Sequence, residues 1–385
     1  MKLELYPAEI CLWDEVVESS PITFLMNSPL FVNAVLFMIE AVSDCRSNKP
    51  CGLKAQHHLL ETLRLLQETL ASESGQNISD HTIMTVNMLA MTAERLNDSD
   101  SMANHVKGLK QMVNLRGGFH QWKPYIYDLQ SKVCRFVLFR LLKKVNSLTL
   151  ARADLGLAIR FGHRPLFFND EISWTSYLHA TERVQTVHSP LENAISTLIR
   201  FLDWRLVNVL TDLRQFSHLC NLGHQTGYKL RRHTFGEIMV SVLYRLLYLS
   251  FKGSPLDEAI RLGMVIFGSS IILQGQKCGH AILDGFISSL LELHDHAATI
   301  DVPPSIIFWL LIVWKIHVSE EIPQSQLEVW SEEAIKLAEV YNWEDARAIL
   351  KAVMWIDILH DSKGERYIRN LKAKSVCTTD LFSKG

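Results

Sequence analysis

Serine–proline pairs punctuate this chain, and they constrain its fold more than any other feature. Ser28-Pro29, Ser189-Pro190-Leu191-Glu192 and Ser254-Pro255-Leu256-Asp257 each set a hydroxyl before a proline, and the last two add an acid three residues after the serine. A serine at the N-cap accepts from an unpaired amide of the first turn. Proline at the first helical position gives up an N–H that has no partner there, and the acid can reach back to the cap. Each pair therefore predicts a helix start, and the residues that follow fit. Leu30 to Val42 is an apolar run. Leu59, Leu63, Leu66 and Leu70 predict a one-sided stripe with Glu61, Arg64 and Glu68 opposite. Ser79 or Asp80 would cap a helix with Ile83, Val86, Ala90 and Ala93 inside.

The second half follows the same style. Ser325 with Glu328 reads as a weak capping box, and Asn342 as the cap of a helix from Trp343 to about His360. Gly162-His163-Arg164-Pro165 and Gly223 to Gly227 read as loops, Gly263 to Gly268 as close helix packing, and the basic stretch after Asp361 as a surface tail. No segment alternates with a period of two between turn residues, which argues against a sheet. The expected fold is all-α: a multi-helix array of antiparallel helix pairs in one large domain over residues 28–361, after an N-terminal segment 1–27 and before a tail 362–385.

The formal net charge of −2 disfavours a freestanding nucleic-acid binder, which needs a basic balance or face. The seven cysteines (Cys11, Cys45, Cys51, Cys134, Cys220, Cys278, Cys377) include no C-x-x-C pair, so they read as reduced thiols. The apolar runs at 264–267, 271–273 and 306–314 are far shorter than the roughly 20 residues of a membrane span. Met1 to Trp13 lacks the apolar core of a secretory leader. The expectation is a soluble intracellular protein without membrane association.

Few residues invite chemistry. Asn97-Asp98-Ser99-Asp100-Ser101-Met102-Ala103-Asn104-His105 approaches the magnesium motif of helical terpene cyclases, but His105 stands where a carboxylate must complete the oxygen shell. A polar turn capped by Ser101 is the plainer reading. His294-Asp295-His296 has metal-ligand types, yet two rings two residues apart on a helix point to different faces, and His57-His58 is weaker still. Lys143-Lys144 and Arg231-Arg232-His233 are short basic spots. Phe167, Phe168 and Trp174 could line a small-molecule pocket, although aromatics in a helical chain more often anchor a core. No catalytic, cofactor-binding or metal-ligating residue is assigned, and no cofactor is expected.

In His105-Val106-Lys107-Gly108-Leu109-Lys110-Gln111-Met112-Val113-Asn114-Leu115-Arg116-Gly117-Gly118, Val106, Leu109 and Val113 form an inner face, Arg116 suits the last turn, and Gly117-Gly118 would stop the helix. The string resembles a signature of the fungal-specific transcription-factor regulatory domain. Ser28-Pro29-Leu30-Phe31 to Ala41 resembles the start of that domain. Arg152-Ala153-Asp154-Leu155 with Pro165-Leu166-Phe167 resembles its Ala-Asp-Leu and Pro-x-Phe segments. Trp309, Trp314 and Trp343-Glu344-Asp345-Ala346-Arg347-Ala348-Ile349-Leu350, ending in Trp355-Ile356-Asp357, resemble its C-terminal part.

The resemblance implies a nuclear regulator of metabolic or secondary-metabolite genes. It implies contacts with a DNA-binding regulator or the transcription machinery, and a response to a small-molecule effector. Members of the class normally carry six cysteines near the N-terminus, holding two zinc ions, and Cys11, Cys45 and Cys51 cannot form that cluster. The expectation is a regulator without its own DNA reader. The alternatives are a zinc-cluster activator missing an upstream exon, a helical biosynthetic enzyme of the terpene-cyclase type, and an inert relic of a regulator.

Overall fold

The computed structural model describes residues 7–12, 27–73, 78–116, 147–167, 174–176, 178, 190–272, 278–296, 302–318 and 323–382. The described secondary structure is helical apart from one isolated bridge between Cys11 and Leu230, so the chain is all-α. The helices gather into two compact units, one spanning Asp14–Ser173 and one Trp174–Gly385 with Glu4–Trp13. No linker of distinct composition marks the boundary, so the sequence alone reads as continuous.

In the first unit, α1 (Pro29–Arg46) and α2 (Leu53–Ser72) pack as a hairpin. Ser28 caps α1 by accepting from the Phe31 amide, with Pro29 in the first turn, as the sequence predicts. The Asp44 carboxylate closes the hairpin loop by accepting from the Gly52 amide at 2.9 Å. The face that α2 buries differs from the predicted stripe. Ala55, Thr62 and Leu66 are buried, whereas Leu63 and Leu70 lie 37% and 40% exposed. Thr62 is tolerated inside because its hydroxyl donates to the His58 carbonyl at 2.7 Å.

α3 (Asp80–Arg95) is the centre of this unit, packed on α1, on α4 (Ser99–Leu115) and on α5 (Ser147–Phe161). Ser79 is its cap. Burial runs without a gap from Thr82 to Glu94, wider than the predicted one-sided face, because neighbours cover α3 from several sides. Polar Thr85, Asn87, Thr92 and Glu94 are inside as well.

The second unit is built on α9 (Pro255–Ile272), enclosed by α7 (Trp204–Thr226), α8 (Arg232–Tyr248), α10 (His280–Asp295) and α11 (Pro304–His317). Around α11 lie α6 (Pro190–Ile199), α12 (Ser325–Leu337), α13 (Trp343–Val353) and α14 (Asp357–Phe382). Gly263 is the close packing the sequence suggests: a Cβ there would lie 3.0 Å from Leu310 and 3.2 Å from Trp309.

Four boundaries depart from the sequence reading. α7 runs through Gly223 and ends at Gly227, whose φ of 77° is the left-handed stop. Ser325 lies inside α12 with no side-chain cap before it, and Glu328 pairs with Lys315 instead. The predicted helix from Trp343 to His360 breaks after Val353, where Met354 is extended, and the basic stretch after Asp361 continues α14. The expected start of α6 at Ser189 and the glycine stop at Gly117-Gly118 lie outside the described residues.

Gly223 shows why α7 can bury its last turns. A Cβ there would meet the Tyr228 carbonyl oxygen at 2.7 Å. Gly223→Ala should therefore lower stability by about 1–3 kcal/mol, the range for overpacking, despite alanine's better helix propensity. Urea unfolding followed by circular dichroism would measure it.

Candidate functional site

Asn97 and Asp98 form the α3–α4 turn, Ser99 to His105 open α4, and the side-chain oxygens of Asn97 and Asp98 serve the fold. Asn97 has φ 62°, a left-handed conformation that asparagine tolerates, and the Asp98 amide donates to the Ala93 carbonyl at 2.9 Å. The Asp98 carboxylate accepts from the Ser101 amide at 3.0 Å and caps α4. The cap is thus Asp98, and Ser101 is the residue capped. Hydrogen bonds from the Ser101 hydroxyl and amide hold the Asp98 carboxyl below its usual range. Arg160 on α5 donates to the Asn97 side chain and to the Glu94 carbonyl, fastening the turn. Burial pushes the half-buried His105 imidazole below its ordinary range, against the opposing pull of Asp98.

The histidine pairs are engaged separately. His294 stacks edge-on against Trp330 and lies 3.2 Å from the Gln326 amide nitrogen, while His296 Nδ1 donates to the Glu292 carbonyl. His58 bonds the Asn33 side chain at 3.0 Å. Among the described residues no three His, Cys, Asp or Glu side chains are placed to hold a metal ion. Lys143-Lys144 and Phe168 lie outside the described residues, and Arg231 stands exposed before α8. Phe167 is buried in the first unit, and Trp174 belongs to the second, where Arg205 stacks on its ring at 5.5 Å.

The segments that carry the family resemblance have firm structural roles. In α4, Val106, Leu109 and Val113 are buried, and Arg116, at the C-cap, reaches Asp80 at 2.7 Å to tie the two ends of the α3–α4 pair. Asp154 is fully buried, and its two carboxylate oxygens accept from the amides of Leu166 and Phe167 at 2.7 and 2.9 Å. The Ala-Asp-Leu and Pro-x-Phe segments are therefore two halves of one loop clamp.

The C-terminal segment is the densest of them. Asn342 and Asp345 form a full capping box on α13. Arg347 bridges Asp357 and Asp361 at 2.6 and 2.8 Å, and the Trp355 indole donates to Asp361 at 2.8 Å. Gly364 fits between Trp343 and Trp355, where a Cβ would lie 2.9 and 3.1 Å from the two rings. Trp309 is buried and donates to the Met354 carbonyl at 2.7 Å.

Beside this hub lies a feature the sequence does not announce: His317 at the end of α11 and His360 on α14, with ring centroids 5.9 Å apart. His360 stacks on Phe267 and Trp355. Its Nδ1 lies 3.1 Å from the Ile356 carbonyl and its Nε2 3.1 Å from the Ser270 hydroxyl, which itself donates to the Phe267 carbonyl at 2.7 Å. His317 Nε2 is buried without a partner. Burial drives both imidazoles down, His317 to about 3, and Lys363 adds to the effect. Spacing gave no signal for this pair, because its members lie 43 residues apart on different helices.

No protein-family model, curated protein or solved structure matches the chain.

Both histidines are neutral when folded and take up protons more readily when unfolded. Their contribution to stability is complete above the unfolded pKa near 6.5 and is lost as pH falls through the window towards about 3. The urea midpoint should fall between pH 6.5 and 4. His317→Leu should flatten that slope by up to about 1.4 kcal/mol per pH unit. An unchanged slope in the variant would show that His317 stays hydrated.

Proposed function

We propose that this chain is a transcriptional regulator or regulator-like protein of the fungal-specific class, acting on metabolic or secondary-metabolite genes. One observation carries the reading: the resembling segments occur in family order from Ser28 to Asp357, and those described are residues that hold loops and helix junctions. A signature shared across a domain class is expected to fall on such scaffold positions. The oxygens of Asn97 and Asp98 are spent on the α3–α4 turn and its anchor Arg160, which weighs against the terpene-cyclase alternative.

On this reading the chain works in the nucleus through protein contacts. A small-molecule effector would act by favouring one packed arrangement of helices over another. The net charge of −2 and the cysteine spacing support a reading in which a partner, rather than this chain, recognises DNA.

Deleting the gene in its host should change a defined set of transcripts. Joining the chain to a foreign DNA-binding module should change output from a matching reporter. Unchanged transcripts with a silent reporter would overturn the proposal. In gel-shift assays the purified chain should bind duplex DNA only at about micromolar concentration or above, without sequence preference. A nanomolar, sequence-selective shift would overturn the division of labour.

A further inference from the structure

α2 carries a second apolar face. Along the outside of the helix run Leu53, Gln56, Leu60, Leu63, Gln67 and Leu70. The leucines are 84%, 67%, 37% and 40% exposed, and both glutamines are exposed. Steps of three and four alternate along this line, which is the seam spacing by which one helix packs against another. The seam lies roughly a third of a turn from the face that packs on α1.

The residue order reads the same from either end: Leu-Gln-Leu, then Leu-Gln-Leu. A two-fold axis through the midpoint between Glu61 and Thr62 reverses the helix and maps the seam onto itself. Leu53 then faces Leu70, Gln56 faces Gln67, and Leu60 faces Leu63 of the other copy. Binding to an unrelated helix requires apolar residues at these positions but no such reversal symmetry. A symmetric dimer requires a patch that complements itself under its own two-fold.

Arg64, on the flank of the seam, is held by Glu61 and Glu68 at 2.6 Å each, and no charged residue stands in the seam itself. The glutamines can pair amide to amide and set the register, as isolated polar residues in helix seams do.

We propose that two copies of this chain associate through antiparallel pairing of their α2 helices along the Leu53–Leu70 seam. The contact is about 26 Å long at 1.5 Å per residue, short of the area of a standard stable interface. The dimer is therefore weak, and it forms at micromolar concentration whether or not the chain is a regulator.

Sedimentation equilibrium of the full chain tests this between about 1 and 300 μM. The average mass should climb from the 44.0 kDa monomer towards twice that value. Leu60→Glu with Leu63→Glu should hold it at the monomer while the circular dichroism and Tm stay as in the parent. Should that pair of changes disturb folding, Leu53→Glu at the most exposed leucine reads the same contact. A monomer at every concentration, or association indifferent to the seam variants, would each overturn the proposal.

Discussion

The side-chain amide of Asn221 holds the second unit at its weakest point. Between α13 and α14 the backbone leaves the helix, and its polar groups lose their intrahelical partners inside the core. Asn221 donates to the Trp355 carbonyl at 2.8 Å and accepts from the Asp357 amide at 2.9 Å. From the same helix Arg214 donates to the carbonyls of Ala352 and Val353, and Trp309 supplies Met354. Each such group left bare would cost about 1–3 kcal/mol, so the break could not be buried without these donors. The placement of α14 follows, and with it His360 on Phe267 and Gly364 between two tryptophans.

The same solution recurs wherever irregular backbone enters a core. Asp154 takes the amides of Leu166 and Phe167 in the first unit. In the second, the fully buried Asp212 accepts from the Ser176 hydroxyl and the Leu178 amide. Arg245, also fully buried, bonds Asp212 at 2.6 Å and the Thr175 carbonyl. An ion pair without further bonds gains little from burial, because desolvation opposes it. Here the pair binds backbone as well, and that turns two buried charges into an anchor for a loop.

Local chemistry was legible at several helix starts, though not at Ser101 or Ser325, and the choice of packing face was not. Ser28, Ser79 and Asn342 cap where their residue types say they should, because capping involves only the next three residues. The all-round apolar runs of α9 and α11 announced their burial. The choice of face on α2 could not be read, because that helix has two candidate faces and only α1 decides between them. The break after Val353 was hidden for a related reason. Met354 to Ile356 carry no glycine or proline, and the break is imposed by Arg214, Asn221 and Trp309 from elsewhere in the chain. Of the candidate site, Asn97–His105 could be found by motif, but its use as a turn depends on Arg160, 63 residues away in sequence.

A residue that clamps a loop is needed wherever that loop is built, whatever the outer surface does. Asp154, Asn342, Arg347 and Trp355 are residues of this kind, so a likeness at these positions bears on architecture first. Function in a helical scaffold of this sort is carried by surface that the scaffold leaves uncommitted. The outer leucines of α2 are such a surface, Leu53 and Leu60 most of all at 84% and 67% exposed, while Ala55, Thr62 and Leu66 fill the inner face. The apolar strip there reads the same in both directions along the helix, so a second copy of the chain meets it with the same residues it presents.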